Sequence, residues 1–230
     1  MMLLRLSLLN GHHLAAIDGD FGTVKDFSID DKLWLVRYVL ADTGLWLKAR
    51  QILISPLFIK SLKHTNKRLQ VSLTRHQIEM SPSIGTSDDI TYYFERSYYD
   101  YFRPVNPQCL QGGKFGSQGR QSVDELQEKQ LNSESAFHHD GISDPHLRNA
   151  QAMHGYQIHG IDGDIGQIVD FILDDTWTIC QMVIATGPWV SGQQVTVPTN
   201  LVDRIDVLST TVTMRISRET VTQSPLCKIT

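Results

Sequence analysis

Aspartates dominate the chemistry this chain has to offer. Asp18, Asp20, Asp26, Asp30 and Asp31 lie close together, and Asp162, Asp164, Asp170, Asp174 and Asp175 repeat them further on. Carboxylates alternating around a glycine open a calcium loop, and Asp18-Gly19-Asp20 starts as one does. The third ligand place is then Gly22, and no glutamate stands at the twelfth position. The spacing therefore favours aspartates that close turns. His138-His139-Asp140 has ligand-type residues but no second cluster to complete a site, and reads as a solvated loop. His12, His13, His154 and His159 lack ligand spacing on one face. Cys180 falls in a strand and reads as a small buried hydrophobe. No Ser/His/Asp set and no glycine-rich phosphate loop can be assembled, so the residues predict neither an enzyme nor a bound cofactor or metal.

The elements that must position these residues come in two sets. Ile17-Asp18-Gly19-Asp20-Phe21-Gly22-Thr23-Val24-Lys25-Asp26-Phe27-Ser28-Ile29-Asp30-Asp31 returns as Ile161-Asp162-Gly163-Asp164-Ile165-Gly166-Gln167-Ile168-Val169-Asp170-Phe171-Ile172-Leu173-Asp174-Asp175. Nine of the fifteen positions are identical at an offset of 144. The chain is one domain written twice, with copy 1 at 1–82, a linker at 83–143 and copy 2 at 144–230. Leu3, Leu6 and Leu9 at helical spacing predict a short core-facing helix that stops at Asn10-Gly11. Strands follow at 12–16, 23–29 and 34–41, with short ones at Trp46-Leu47 and 51–54. Val24 and Phe27 share a strand face only if a bulge intervenes. Leu69, Val71 and Leu73 alternate as a half-buried strand, and Thr74-Arg75-His76-Gln77 is a capping box. After Asp175 the offset becomes 143, and Trp34, Trp46 and Thr74 are answered by Trp177, Trp189 and Ser217. Asp144-Pro145 marks a helix start before the second copy.

The linker differs in character. Ile90, Phe94, Tyr98 and Tyr101 at three- and four-residue spacing predict a helix over 88–102, capped by Ser87 and ended before Pro104. Its tyrosines suit packing onto a barrel or, alternatively, a partner-binding stripe. Residues 104–120 read as coil, and 123–131 as a weak helix. Trp34, Trp46, Trp177 and Trp189, together with Tyr93 and Tyr98, form the candidate interaction surface.

Composition limits the classes of partner. With 41% hydrophobic and 20% charged residues the chain is ordinary for a soluble globular protein. A net charge of −4 gives no electrostatic footprint for nucleic acid. Cys109, Cys180 and Cys227 show no CxxC spacing, which fits a reducing cytoplasm. The apolar start is short and broken by Arg5, and no stretch approaches a membrane span.

The segments Ile-Asp-Gly-Asp-x-Gly-x-x-x-Asp-Phe, Trp34-Leu35-Val36-Arg37-Tyr38 and Asp42-Thr43-Gly44-Leu45-Trp46-Leu47 resemble the PRC-barrel family. So do the Ile-Leu-Ile-Ser-Pro segment at 52–56 and the lead-in Asp144-Pro145-His146-Leu147-Arg148-Asn149-Ala150. The resemblance covers both copies and implies a mainly β chain of two small PRC-type β-barrels with short helices. It also implies use as an interaction or assembly module without shared catalytic residues. The family includes the cytoplasmic domain of the photosynthetic reaction-centre H chain. That member implies the alternative of a peripheral accessory of a membrane electron-transfer complex, at the inner face of the membrane. A ribosome-maturation factor in the family implies a further alternative. The preferred expectation is a cytoplasmic adaptor with a protein partner. The second copy departs from the first where Cys180-Gln181 replaces Arg37-Tyr38 and Ala185 replaces Asp42. Domains of about 80 residues supply only a few kcal/mol from one core. The copies are therefore expected to pair with each other about a pseudo-two-fold axis, or to pair in a homodimer.

Overall fold

The structure, a computed structural model, describes residues 3–47, 50–60, 62, 67–84, 90–105, 146–187 and 193–223. The expected features at 106–145, including the helix at 123–131, His138-His139-Asp140 and the Asp144-Pro145 helix start, lie outside the described residues. So do Cys109, Cys227, Trp189 and the side chain of Tyr93.

The fold is mainly β and forms two sheets. The first half runs β1 (Leu3–Arg5), β2 (His13–Ala16), β3 (Gly19–Asp30), β4 (Leu35–Asp42), β5 (Ile52–Ile54), β6 (Arg68–Gln70), α1 (Arg75–Glu79) and α2 (Tyr92–Phe102). The second half runs β7 (Leu147–Asn149), α3 (Ala150–Met153), β8 (Gln157–Gly160), β9 (Gly163–Asp174) and β10 (Ile179–Thr186). It continues with β11 (Gln194–Pro198), β12 (Val202–Asp206), β13 (Thr211–Met214) and α4 (Arg218–Thr222). One sheet is ordered β5-β4-β3-β2-β6 and the other β11-β10-β9-β8-β13-β12. In each, a late strand returns parallel to the first, β6 beside β2 and β13 beside β8. Neither sheet closes into a continuous ladder among the described residues. No helix among them is long and apolar enough to cross a membrane.

The long strands carry the repeated motif, and its residue types explain their shape. The register of β3 on β4 shifts between Val24 and Asp26, which lets Val24 and Phe27 both enter the core. At Gly22 a Cβ would stand 2.3 Å from the carbonyl oxygen of Asp42, and at Gly166 2.1 Å from that of Ala185. The repeated glycine is there because the neighbouring backbone leaves no room for a side chain. Asp30 Oδ1 accepts from the amides of Lys32 and Leu33 at 3.0 and 2.8 Å, and Asp174 Oδ1 from those of Thr176 and Thr178. Asp18 accepts from the amide of Arg75 at 2.8 Å, where α1 begins. Asp162 accepts from that of Arg218 at 2.9 Å, where α4 begins. The aspartates thus close turns and cap helices, using their acceptor capacity on backbone N–H groups.

The lead-in segments do something the sequence does not announce. Instead of the expected helix, Leu3–Arg5 is a strand and Leu6–Leu9 a single 3-10 turn. β1 pairs with β9 of the second copy in the register Leu3 with Asp174, Leu4 with Leu173 and Arg5 with Ile172. β7 pairs with β3 of the first copy, Leu147 with Asp30, Arg148 with Ile29 and Asn149 with Ser28. The two registers are related by the repeat offset, so each copy lends its first strand to the other. The physical reason is the open edge of a long strand, whose backbone groups need partners. Two other expectations are also corrected. Trp46 and Leu47 lie in a turn rather than a strand. α2 is capped by Thr91, whose Oγ1 accepts from the amide of Phe94 at 3.2 Å, rather than by Ser87.

Buried carboxylates pin both exchanged segments. Asp170 accepts from Arg5 Nε at 2.8 Å, from the amide of Ser7 at 3.1 Å and from the Ser7 hydroxyl. Its counterpart Asp26 accepts from the amide of Gln151 at 3.2 Å. Asp31 faces Arg148 Nε and His146 Nδ1, each at 3.0 Å. Truncating Asp170 takes the acceptor from Arg5, from both Ser7 donors and from the Phe171 amide. In urea titrations, Asp170→Ala is expected to lower the unfolding free energy by about 2–4 kcal/mol. Asp164→Ala, at a side chain 75% exposed, should stay within about 0.5 kcal/mol of the parent.

Candidate functional site

Three surfaces collect the chain's polar and aromatic side chains, and the candidate residues divide among them. The first is the seam between copies. Trp34 and Trp177 occupy equivalent tight turns with φ of 54° and 63°, and both are buried, 9% and 6% exposed. Across the seam the amide of Val36 donates to the Trp177 carbonyl at 3.0 Å. The amide of Ile179 donates to the Trp34 carbonyl at 2.7 Å. The Trp34 ring lies 6.4 Å from that of Phe171. These two tryptophans therefore join the copies to each other.

The second surface is the seat of α2 on copy 1. Tyr98 is fully buried, and its hydroxyl accepts from the amide of Ser55 at 3.0 Å. Its ring meets Tyr38 edge-on at 5.4 Å and Phe102 at 4.7 Å, while Phe102 meets Phe58 at 4.8 Å. Glu95 Oε1 accepts from Tyr38 Oη and from Arg37 Nη2, both at 2.8 Å, and Arg37 Nη1 reaches Asp30 at 3.1 Å. Burial works against the Arg37 charge. Glu95, with smaller help from Tyr99, Tyr38 and Asp30, outweighs it and drives the pKa up. Tyr38 is also pushed well above the usual tyrosine value, by burial first and then by Tyr99 and Glu95, against the pull of Arg37.

This seat explains the divergence between copies. Arg37, Tyr38, Ser55 and Phe58 stand where copy 2 has Cys180, Gln181, Pro198 and Leu201. Copy 2 thus lacks the two donors that hold Glu95, and the proline has no N–H to offer a tyrosine hydroxyl. Cys180 is half-buried, and its thiol donates weakly to the Thr178 carbonyl at 3.6 Å. Burial and the nearby Asp174 carboxylate push that thiol's pKa up, away from the reactive thiolate.

The third surface is an open cavity of about 380 Å³ on copy 1, lined by Trp46 and Arg75 among others. Trp46 is half-exposed and meets Phe21 edge-on at 6.5 Å, and the Arg75 guanidinium carbon lies 4.6 Å from the Trp46 ring centre. Sequence reasoning singled out Trp46 but missed Arg75, and nothing in the pattern marks it, since Arg218 holds the same place in copy 2. Glu95 was missed as well. Its signal was a lone acidic residue on the buried side of an aromatic helix. Among the described residues no group of three or more His, Cys, Asp and Glu is placed to hold a metal.

The raised Tyr38 pKa has a stability consequence. The native state holds the phenolic proton more tightly than the unfolded chain does. The contribution is therefore full below the unfolded value of about 10, and is lost as pH rises above it. Urea unfolding free energies are expected to fall as pH rises from about 10 upward. Tyr38→Phe should be about 1–2 kcal/mol less stable near neutrality, through the lost bond to Glu95, yet decline less steeply with pH. An equally steep decline would show that Tyr38 does not carry the effect.

Compared with known proteins, the chain matches no family model and no curated protein.

Proposed function

We propose that this chain is a non-enzymatic PRC-barrel protein of the bacterial cytoplasm, acting as an assembly or adaptor module for a protein partner. The barrel part of the reading is supported by how each sheet's two ends approach each other. In copy 1 the segment after β5 passes through the 3-10 turn Pro56–Phe58, and Ile59 then bridges Val71 beyond β6. The amide of Lys60 donates to the Gln70 carbonyl at 2.9 Å, and that of Ser72 to the Phe58 carbonyl at 2.8 Å. In copy 2 the edge strands β11 and β12 are joined by the three-residue turn Thr199–Leu201. Such curling is how a small antiparallel sheet protects its edges. The motif resemblance supports the same reading.

The observation that carries the functional part is the reciprocal strand exchange, which ties two related units into one body with exposed apolar side chains on both. Copy 1 carries α2, the open cavity and the exposed Leu45 (83%). Copy 2 carries Leu208, exposed to 99%, beside the half-exposed Val207. A body that presents apolar points on both of its units suits a protein that holds others in place.

The test is affinity capture of the tagged full-length chain from its native cells, with Leu45→Asp and Leu208→Asp in parallel. Both substitutions sit on open surface, where stability changes stay within about 0.5 kcal/mol. The expected result is a protein retained by the parent and lost with one variant or the other. Retention of the same proteins by the parent and by the double variant would contradict the reading.

A further inference from the structure

The cavity beside Trp46 contains two opposite charges that the protein itself leaves unused. The Arg75 guanidinium makes no hydrogen bond among the described residues, and its Nε is buried without a partner. It lies over the Trp46 ring, a contact that uses the face of the fork and leaves its donors in the plane. Asp42 also lines the cavity. Its Oδ1 accepts from the amide of Gly44 at 2.9 Å, and it forms no ion pair among the described residues. The two charges share one cavity without pairing. Asp20, at the same rim, is already neutralised by Arg68 at 2.6 Å.

Copy 2 shows that the fold does not require this arrangement. There the equivalent Arg218 donates from Nε to the Asp164 carbonyl at 2.8 Å, and Ala185 replaces Asp42. Copy 2 thus bonds its cation internally and has no anion, whereas copy 1 leaves both on the cavity. A cation without a hydrogen bond and an anion without an ion pair on one cavity point to one ligand carrying both complements.

We propose that this cavity binds a small zwitterion of the amino-acid type, its carboxylate on the Arg75 fork and its ammonium group on Asp42. Arginine's fixed fork matches a carboxylate through two parallel hydrogen bonds. Trp46 and the core residue Phe21 form the apolar wall for the ligand's side chain. The cavity's volume lies in the range of small-molecule sites. A simple anion is disfavoured, because Asp42 would repel it at the far side of the same space. The site does not rest on the adaptor reading, although that reading's Leu45 stands beside it, between the lining residues Gly44 and Trp46.

The test uses the full-length chain and the standard L-amino acids, each offered singly and followed by saturation-transfer NMR and tryptophan fluorescence. At least one should bind the parent protein. Arg75→Ala and Asp42→Asn should each weaken that binding roughly tenfold or more, as expected for a lost charge-assisted contact, while thermal melts confirm that both variants fold. The N-acetyl and methyl-ester derivatives of the best binder, offered to the parent protein, should lose affinity by a similar factor. This arm stands even if a variant fails to fold. Three results would overturn the proposal. They are no binding by any amino acid at millimolar concentration, binding unchanged in both variants, and binding of inorganic phosphate that Arg75→Ala removes but Asp42→Asn leaves intact.

Discussion

The seam where each copy receives the other's three-residue first strand is the constraint on which the rest of the structure depends. A long strand such as β3 or β9 leaves a row of backbone donors and acceptors along its outer edge, and a buried row of that kind must be paired. Here Leu147–Asn149 covers one and Leu3–Arg5 the other. Once the strands are exchanged, the segments behind them are fixed as well. Leu6 and Leu9 enter the core of the joined body, and Ala150 and Met153 do the same from the other side. Trp34 and Trp177 can then occupy their left-handed turns, because the carbonyl oxygen of each accepts from a backbone amide of the opposite copy.

The seam also selects which copies meet. Arg5 supplies the cation for Asp170, and Arg148 with His146 supplies it for Asp31. The repeat offset places Asn149 opposite Arg5 and Leu4 opposite Arg148. Two first copies joined in the same way would set the shielded Asp31 against a leucine. Two second copies would lose the arginine at Asp170. Leaving a shielded carboxylate without its partner costs several kcal/mol, so the unlike pair is the stable one. The same logic separates conserved from divergent positions within the chain. Asp18, Gly22, Asp26 and Asp30 recur because capping, close backbone approach and the seam need them in both copies. Arg37, Tyr38 and Ser55 do not recur, because only copy 1 seats α2.

Much of this was legible in the sequence, and the losses have physical causes. The alternation of Leu69, Val71 and Leu73, the Thr74–Gln77 capping box and the spacing of Phe94, Tyr98 and Tyr101 are local signals. The structure has a capped helix and a helix at the last two, and at the first a strand that ends at Gln70, followed by a single bridge at Val71. Leu3, Leu6 and Leu9 misled because helical spacing also suits a short strand followed by a 3-10 turn. What decides between them is an open edge 165 or more residues away, which no local window contains. Pairing of the copies could be anticipated from their small size, but strand exchange could not. At the cavity, Arg75 and Arg218 are the same residue in the same motif place, and the motif does not announce that Arg218 bonds the Asp164 carbonyl while Arg75 lies over Trp46.

Residue-resolved native-state hydrogen exchange tests most directly whether the two copies form one cooperative body through this seam. The decisive amides are those of Val36 and Ile179, which donate to Trp177 and Trp34, and those of Ser7 and Gln151, which donate to Asp170 and Asp26. If the seam holds the fold together, these amides open only with global unfolding and share the exchange free energy of the core strands. If they exchange through local opening, at free energies near those of the exposed turn at 207–210, the copies are separate domains in loose contact, and the central claim fails.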